Sequence, residues 1–235
     1  MKLKKDVTIS GATKIRNRFA LLIGVRDYIG PAYNGSPLPH TVHDVNELEK
    51  VLTGCGYIAL TLHSDKPGGY KPTRENIWGE MKNLSRQTGP GDLLLVHFGG
   101  HGDLDDKRRA YLVPANGRKS ALEYSAVNLE KFKQEFADSR AQAKILILDA
   151  CHSGIGRDAA GMAAEFERRV YLEAEGTATL ASCRHSEVAY EHDESPHGAF
   201  TYYLLEGLKG AAKSKNQNFI TFDDGQVGAD ITTDK

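Results

Sequence analysis

The sequence predicts an α/β fold, a mostly parallel central sheet with helices on both faces. Continuous apolar runs alternate along the chain with stretches of helical periodicity, the pattern of strand-helix-strand units. The runs have no polar face, as expected of central strands covered on both sides. Two of them stop abruptly: Leu93 to Phe98 runs into Gly99, Gly100, His101 and Gly102, and Ile145 to Leu148 runs into DACHSG, Asp149 to Gly154. Strand ends of this kind form the carboxyl edge of an open sheet, where such folds place their chemistry.

The elements follow in order. Residues up to about Asn17 lack periodicity and read as a lead-in arm. Phe19 to Val25 is the first strand, and Asp27 to Pro39, rich in Gly, Pro, Asn and Ser, reads as a loop over the sheet edge. Val42, Val45, Leu48 and Leu52 recur at helical spacing before Gly54 and Gly56, which predicts a helix from about His43 to Thr53. Ile58 to Leu62 is a short strand. Pro72 and Thr73 open a second helix carrying Ile77, Met81 and Leu84, closed by Gly89-Pro90-Gly91. After the third strand, Tyr111 to Pro114 reads as a peripheral strand and Leu129, Phe132 and Phe136 as a helix. Beyond the cysteine strand, residues 155 to 172 lack a clean period and predict a mobile segment. Thr177 to Ser182 is a further strand, and Phe200, Tyr203, Leu204 and Leu208 lie on a helix ended by Gly210. The division expected is an arm over 1–17, one domain over 18–212, and a polar tail over 213–235 leading toward a further segment.

Composition narrows the partners. Thirty basic and 31 acidic residues give a formal charge of -1, so no general field gathers nucleic acid or an anionic membrane. No apolar run reaches the roughly 18 residues of a membrane span. Three cysteines without paired spacing point to a reducing compartment, and Asp6 interrupts the place where a signal peptide needs apolar residues. The expected location is the cytoplasm.

A strand-end cysteine taken singly is more often a buried structural residue, and a single histidine is no more telling. Together, each at a carboxyl edge beside glycine, Cys151 and His101 read as a nucleophile and its general acid and base. The N–H groups of Gly102 and Cys151 would form the oxyanion hole. His97, inside the apolar run, reads as a core residue. A zinc site from Cys151, His152, His101 and Cys183 is the chemical alternative, but the paired ligand spacing is absent.

At these residues the sequence resembles the caspase and metacaspase superfamily of cysteine proteases, closest to metacaspases and prokaryotic caspase homologues. The resemblance rests on FALLIGV (Phe19 to Val25), LPHTVHDV (Leu38 to Val45), FGGHG (Phe98 to Gly102), DACHSG, TLASC (Thr179 to Cys183) and GAFTYYLLEGLKG (Gly198 to Gly210). It implies a caspase-like α/β/α sandwich, a His101/Cys151 dyad, and an endopeptidase acting through a thioester acyl-enzyme on protein or peptide substrates. Caspases carry a glutamine two residues before the nucleophile, part of a basic pocket; here Asp149 stands there and Leu38 stands where a pocket arginine is expected. With Asp44, Asp149 therefore implies a pocket for arginine or lysine. For Asp44 the alternative is a first-turn helix acid favoured by the dipole.

Metacaspases often bind calcium through acidic loops, but Asp103, Asp105 and Asp106 alone offer too few oxygens, so no cofactor is expected and calcium stands as the alternative. Gly99 replaces a serine common near this pocket. Arg157, Arg168 and Arg169 are candidate self-cleavage points. Kinship further implies regulated proteolysis or prokaryotic defence, with a sensor or activator partner. The rival from another class is a non-catalytic adaptor that keeps the fold as an interaction module.

Overall fold

A computed structural model describes residues 15–35, 38–150, 165–166, 168–170, 177–181 and 197–209. In chain order its elements are β1 (Asn17–Gly24), α1 (Pro31–Asn34), α2 (Thr41–Gly54), β2 (Tyr57–His63), α3 (Arg74–Gln87), β3 (Asp92–Gly99), β4 (Gly102–Leu104), β5 (Ala110–Leu112), α4 (Leu122–Ser125), β6 (Val127–Asn128), α5 (Leu129–Ala137), β7 (Ala143–Asp149), β8 (Thr177–Ala181) and α6 (Ala199–Leu208). Five strands form one parallel sheet in the order β2-β1-β3-β7-β8. The short strands β4, β5 and β6 form a separate antiparallel sheet that begins directly after His101.

Period-two alternation divides each central strand between two core layers. From β1, Leu21 and Ile23 pack with Leu94, Val96, Ile77, Met81, Phe132 and Phe136, which seats α3 and α5 on one face. Ala20 and Leu22 pack with Leu93, Leu95, Leu48, Leu52, Ile147 and Leu205, which seats α2 and α6 on the other. Each fully buried leucine contributes about 1.5–3 kcal/mol, so the two layers supply the main driving force. The strands run continuously apolar because neither face meets water.

Local signals set the helix ends. The Thr73 hydroxyl accepts from the Asn76 N–H at 3.3 Å and caps α3. Gly56 closes α2 with φ of +80°, a conformation glycine adopts without strain. Gly24 is needed for close approach instead, since a Cβ there would lie 2.7 Å from the Thr41 carbonyl oxygen and 2.9 Å from Val45 Cγ2. Its bare backbone lets the first turn of α2 sit directly on the end of β1.

Two segments differ from their sequence reading. The loop after β1 contains the turn α1 and buries Tyr28 and Tyr33, because these rings have apolar neighbours below the sheet edge. Within 155–172, residues 165–166 and 168–170 are helical, with Phe166 and Val170 fully buried and Lys133 Nζ donating to the Val170 carbonyl at 2.6 Å. Phe166 and Val170 are therefore packed in the core, while Arg168 of the same stretch stays exposed.

Candidate active site

Strand register brings the site together. Gly24 of β1, Gly99 of β3 and Asp149 of β7 are mutually aligned as the last paired residues of their strands. Val25 N–H donates to the Gly99 carbonyl at 2.8 Å and Gly100 N–H to the Asp149 carbonyl at 3.1 Å, so the pairing continues just past the strand ends. The order β2-β1-β3 makes the gap between β1 and β3 a topological switch point, where connections leave toward opposite faces and open a crevice. His101 follows β3 there, and α2, which carries Asp44, follows β1.

His101 is fixed through its backbone. Its N–H donates to Tyr28 Oη at 2.9 Å, and that hydroxyl donates to the Val25 carbonyl at 3.1 Å. Its own carbonyl accepts from Val113 N–H at 2.9 Å, which ties the strand end to the small sheet. The imidazole stacks on Tyr28 with centroids 4.9 Å apart, near Tyr33 at 6.0 Å, and the residue is 7% exposed. Tyr33 donates to buried Asp103 at 2.5 Å, and Lys119 pairs with the same carboxylate. Burial and the adjacent carboxylate hold the Tyr33 phenol well above its ordinary pKa, so it stays a neutral donor.

Gly102 opens β4 under an aromatic lid. A Cβ on Gly102 would fall 2.1 Å from Phe166 Cζ, so only glycine accommodates that ring, itself 1% exposed. His97 is a core residue, as its place in the strand predicts, and burial lowers its pKa to about 4 against a smaller opposing effect of the Ile23 backbone. Neither of its ring nitrogens makes a well-formed hydrogen bond among the described residues.

The two acids meet on the other side of the crevice. Asp44, in the first turn of α2, is buried and bonded to the start of α6. Its Oδ1 lies 2.7 Å from His197 Nδ1, and its Oδ2 accepts the Gly198 N–H at 3.4 Å. Thr201 Oγ1 donates to Asp149 Oδ2, also at 3.4 Å. A Cβ on Gly198 would stand 3.4 Å from Asp44 Oδ2 and 3.9 Å from Asp149 Oδ2, so both carboxylates face the same bare stretch of backbone. Burial pushes the Asp44 pKa up to about 7 and the Asp149 charge adds to this, against the Gly198 N–H and His40. The sequence alone does not single out His197, Gly198 and Thr201 as site residues; the motif GAFTYYLLEGLKG marks the segment but not which atoms it presents.

Among the remaining sequence candidates, Cys151, His152, Arg157 and Cys183 lie outside the described residues; the continuous described stretch ends at Ala150, which is buried. Arg168 and Arg169 both pair with Glu165, at 2.8 and 2.9 Å. Of the loop acids, Asp103 is bound to Tyr33 and Lys119, and Asp105 to Arg109 at 2.6 Å. Asp103 is thus a buried structural carboxylate and no solvated turn residue. Among the described residues no three His, Cys, Asp or Glu side chains converge as a metal ligand set, and no helix is long and apolar enough to cross a membrane.

Comparison with known proteins agrees with this fold. Residues 17–224 match the peptidase C14 family model, described as the caspase domain. Metacaspase-8 of Arabidopsis thaliana is 31% identical over 57% of this chain and 36% of its own length. Metacaspase-1 of Mycosarcoma maydis is 29% identical over 60% of this chain and 37% of its own length. Metacaspase-1 of Plasmodium falciparum is 24% identical over 81% of this chain and 34% of its own length. The chain thus spans about a third of the length of these three relatives. A solved protein of Geobacter sulfurreducens superposes with a TM-score of 0.60 at 15% identity, covering 85% of this chain and 84% of that one, which bears on the fold alone. The matched region takes in every strand of the parallel sheet, the ends of β3 and β7 and the acid pair, and the chain belongs to the caspase-domain family of peptidase C14.

Proposed function

We propose that the protein is a cysteine endopeptidase that cleaves protein substrates after arginine or lysine, without a resident metal ion. The observation that carries this is the switch-point crevice of a caspase-domain chain, with His101 at one strand end and the Asp44/Asp149 pair beside the neighbouring one. In the reaction the Cys151 thiolate adds to the scissile carbonyl carbon, and the N–H groups of Gly102 and Cys151 receive the oxyanion. The carbon-nitrogen bond breaks as His101 gives its proton to the leaving amine. His101 then takes a proton from water, which attacks the thioester and returns the thiol. The acid pair receives the side chain before the scissile bond, and an ion pair in a partly desolvated pocket makes that residue the main determinant of selectivity.

Self-cleavage after Arg157, Arg168 or Arg169, control by a sensor or activator, and service in regulated proteolysis or defence belong to the same proposal. Fluorogenic peptides that differ only in the residue before the scissile bond test it: arginine and lysine peptides should turn over and aspartate peptides should not. Preferred cleavage of the aspartate peptide rejects the specificity.

A second reading, a non-catalytic adaptor, draws on the burial of His101 and the seating of Phe166 over Gly102. Thiol alkylation separates the two, since a primed Cys151 reacts much faster than Cys55 or Cys183, and equal slow rates favour the adaptor.

A further inference from the structure

We propose that His197 is a specificity-determining positioning residue: its Nδ1 holds the Asp44 carboxylate ionised and oriented to receive the cation of a substrate side chain beside Asp149. The inference rests on the reading of Asp44 and Asp149 as the pocket for a basic residue, and deepens it.

The geometry is specific to this histidine. Nδ1 stands 2.7 Å from Asp44 Oδ1, while Oδ2 of the same carboxylate faces the bare backbone of Gly198. One oxygen is held from the histidine side, and the other remains directed toward the space that Asp149 also borders. The side chains of His197 and Asp44 are 12% and 5% exposed, so water is a poor substitute for the contact. His197, Gly198 and Thr201 lie within five residues at the start of α6 and serve both acids, which makes this short stretch the frame of the pair.

The choice of side chain has a chemical reason. Two carboxylates sharing a buried site resist being ionised together, and burial with Asp149 already raises the Asp44 pKa. A cationic substrate group needs the ionised form. A neutral imidazole with its proton on Nδ1 donates to the carboxylate and adds no positive charge. A lysine or arginine in its place would set a permanent positive charge against the pair and compete with the substrate.

Other groups hold the ring near neutrality. His43 of α2 lies against it with centroids 4.5 Å apart, and burial lowers the pKa of both rings. Lys209 at the end of α6 and His40 at the start of α2 also oppose protonation of His197, while Glu47 favours it. Asp149 at the end of β7 faces the pair from the third side. As pH falls through the neutral range, a proton on Asp44 removes one unit of negative charge from the pocket, and protonation of His197, which its surroundings push to lower pH, removes another. Affinity for a basic residue therefore falls on the acid side of neutrality.

The test compares the full chain with its His197→Phe and His197→Asn variants on paired peptides carrying arginine or norleucine before the scissile bond, from pH 5.5 to 8.5. Phenylalanine keeps the ring but has no donor; asparagine restores a donor near the Nδ1 position and cannot titrate. His197→Phe should raise KM for the arginine peptide by about tenfold at pH 7, the scale of a lost bond to a charged group, with a much smaller change in kcat. The acid limb of its kcat/KM profile should move to higher pH. His197→Asn should recover KM to within about threefold of the unaltered chain. An arginine KM and acid limb unchanged in His197→Phe overturn the inference while the pocket reading stands. Equal turnover of arginine and norleucine peptides by the unaltered chain overturns the pocket reading and this inference with it. Nitrogen-15 shifts of the His197 ring give a readout that needs no turnover and no folded variant: a protonated Nδ1 in the neutral ring is expected, and the Nε2-protonated tautomer overturns the proposal.

Discussion

The imidazole side and the acid side of the crevice are built on opposite physical terms. His101 is held by two backbone hydrogen bonds and by the faces of Tyr28 and Tyr33, groups that stay neutral across the working pH range. The Asp44/Asp149 pair is held by a histidine, a hydroxyl and one N–H, around a carboxylate whose own pKa is raised into the neutral range. Under the proposed function, the contrast teaches that bond breaking and side-chain selection can respond independently to change. The first depends on packing and the second on charge.

The largest expected effect breaks the imidazole side. His101→Ala, or Cys151→Ala, should lower kcat/KM by on the order of 10³-fold or more with arginine and lysine peptides alike. Full activity in His101→Ala would remove it from the chemistry. Next, Asp44→Asn and Asp149→Asn keep shape and remove charge. Each should cost about 10²-fold on arginine peptides, while a norleucine peptide moves by less than about threefold. Equal losses on both peptides would mean the acids support the fold and take no part in selection.

Smaller effects sharpen the contrast. Tyr28→Phe deletes the hydroxyl that bridges the His101 N–H and the Val25 carbonyl, and should cost about 1–3 kcal/mol in denaturant unfolding because buried polar groups lose a partner. Without such a cost the hydroxyl is dispensable for holding His101. The pH dependence of stability probes the other side. A carboxyl raised from its ordinary value to about 7 binds its proton more tightly folded than unfolded. Its contribution to stability is therefore greatest below the ordinary carboxylate range, and falls as pH rises toward and through 7. Asp44→Asn should flatten that slope, by up to a few kcal/mol across the window. An unchanged slope would mean that Asp44 titrates normally. Smallest of all, Arg168→Gln or Arg169→Gln breaks a solvent-facing pair with Glu165 and should leave the denaturant midpoint of unfolding unchanged. Either change should still shorten the list of self-cleavage products if cleavage occurs at that residue.

Much of the fold was legible because buried parallel strands and amphipathic helices have distinct periods. Phe19 to Val25 and Leu93 to Phe98 foretold β1 and β3 to within a residue or two, and Thr73 with Gly89-Pro90-Gly91 bracketed α3. The loop after β1 was harder, since its glycines and prolines signal a turn while Tyr28 and Tyr33 serve residues seventy or more positions later. Asp103 looks locally like one of three loop acids; nothing beside it in the sequence marks it as the partner of Tyr33 and Lys119. Phe166 and Val170 are hidden among charged residues with no continuous period.

The linear sequence determined the family, the strand ends and the kinds of atom available at them, because these depend on local pattern and short motifs. Only the tertiary structure decided that the β1/β3 switch point seats His101 against two tyrosines, and that Asp44 and Asp149 meet at Gly198 with His197 against one of them. Those contacts join residues as many as 154 positions apart. They arise from parallel register and the packing of α2 with α6, and a carboxylate's charge state follows from such neighbours rather than from its own place in the chain.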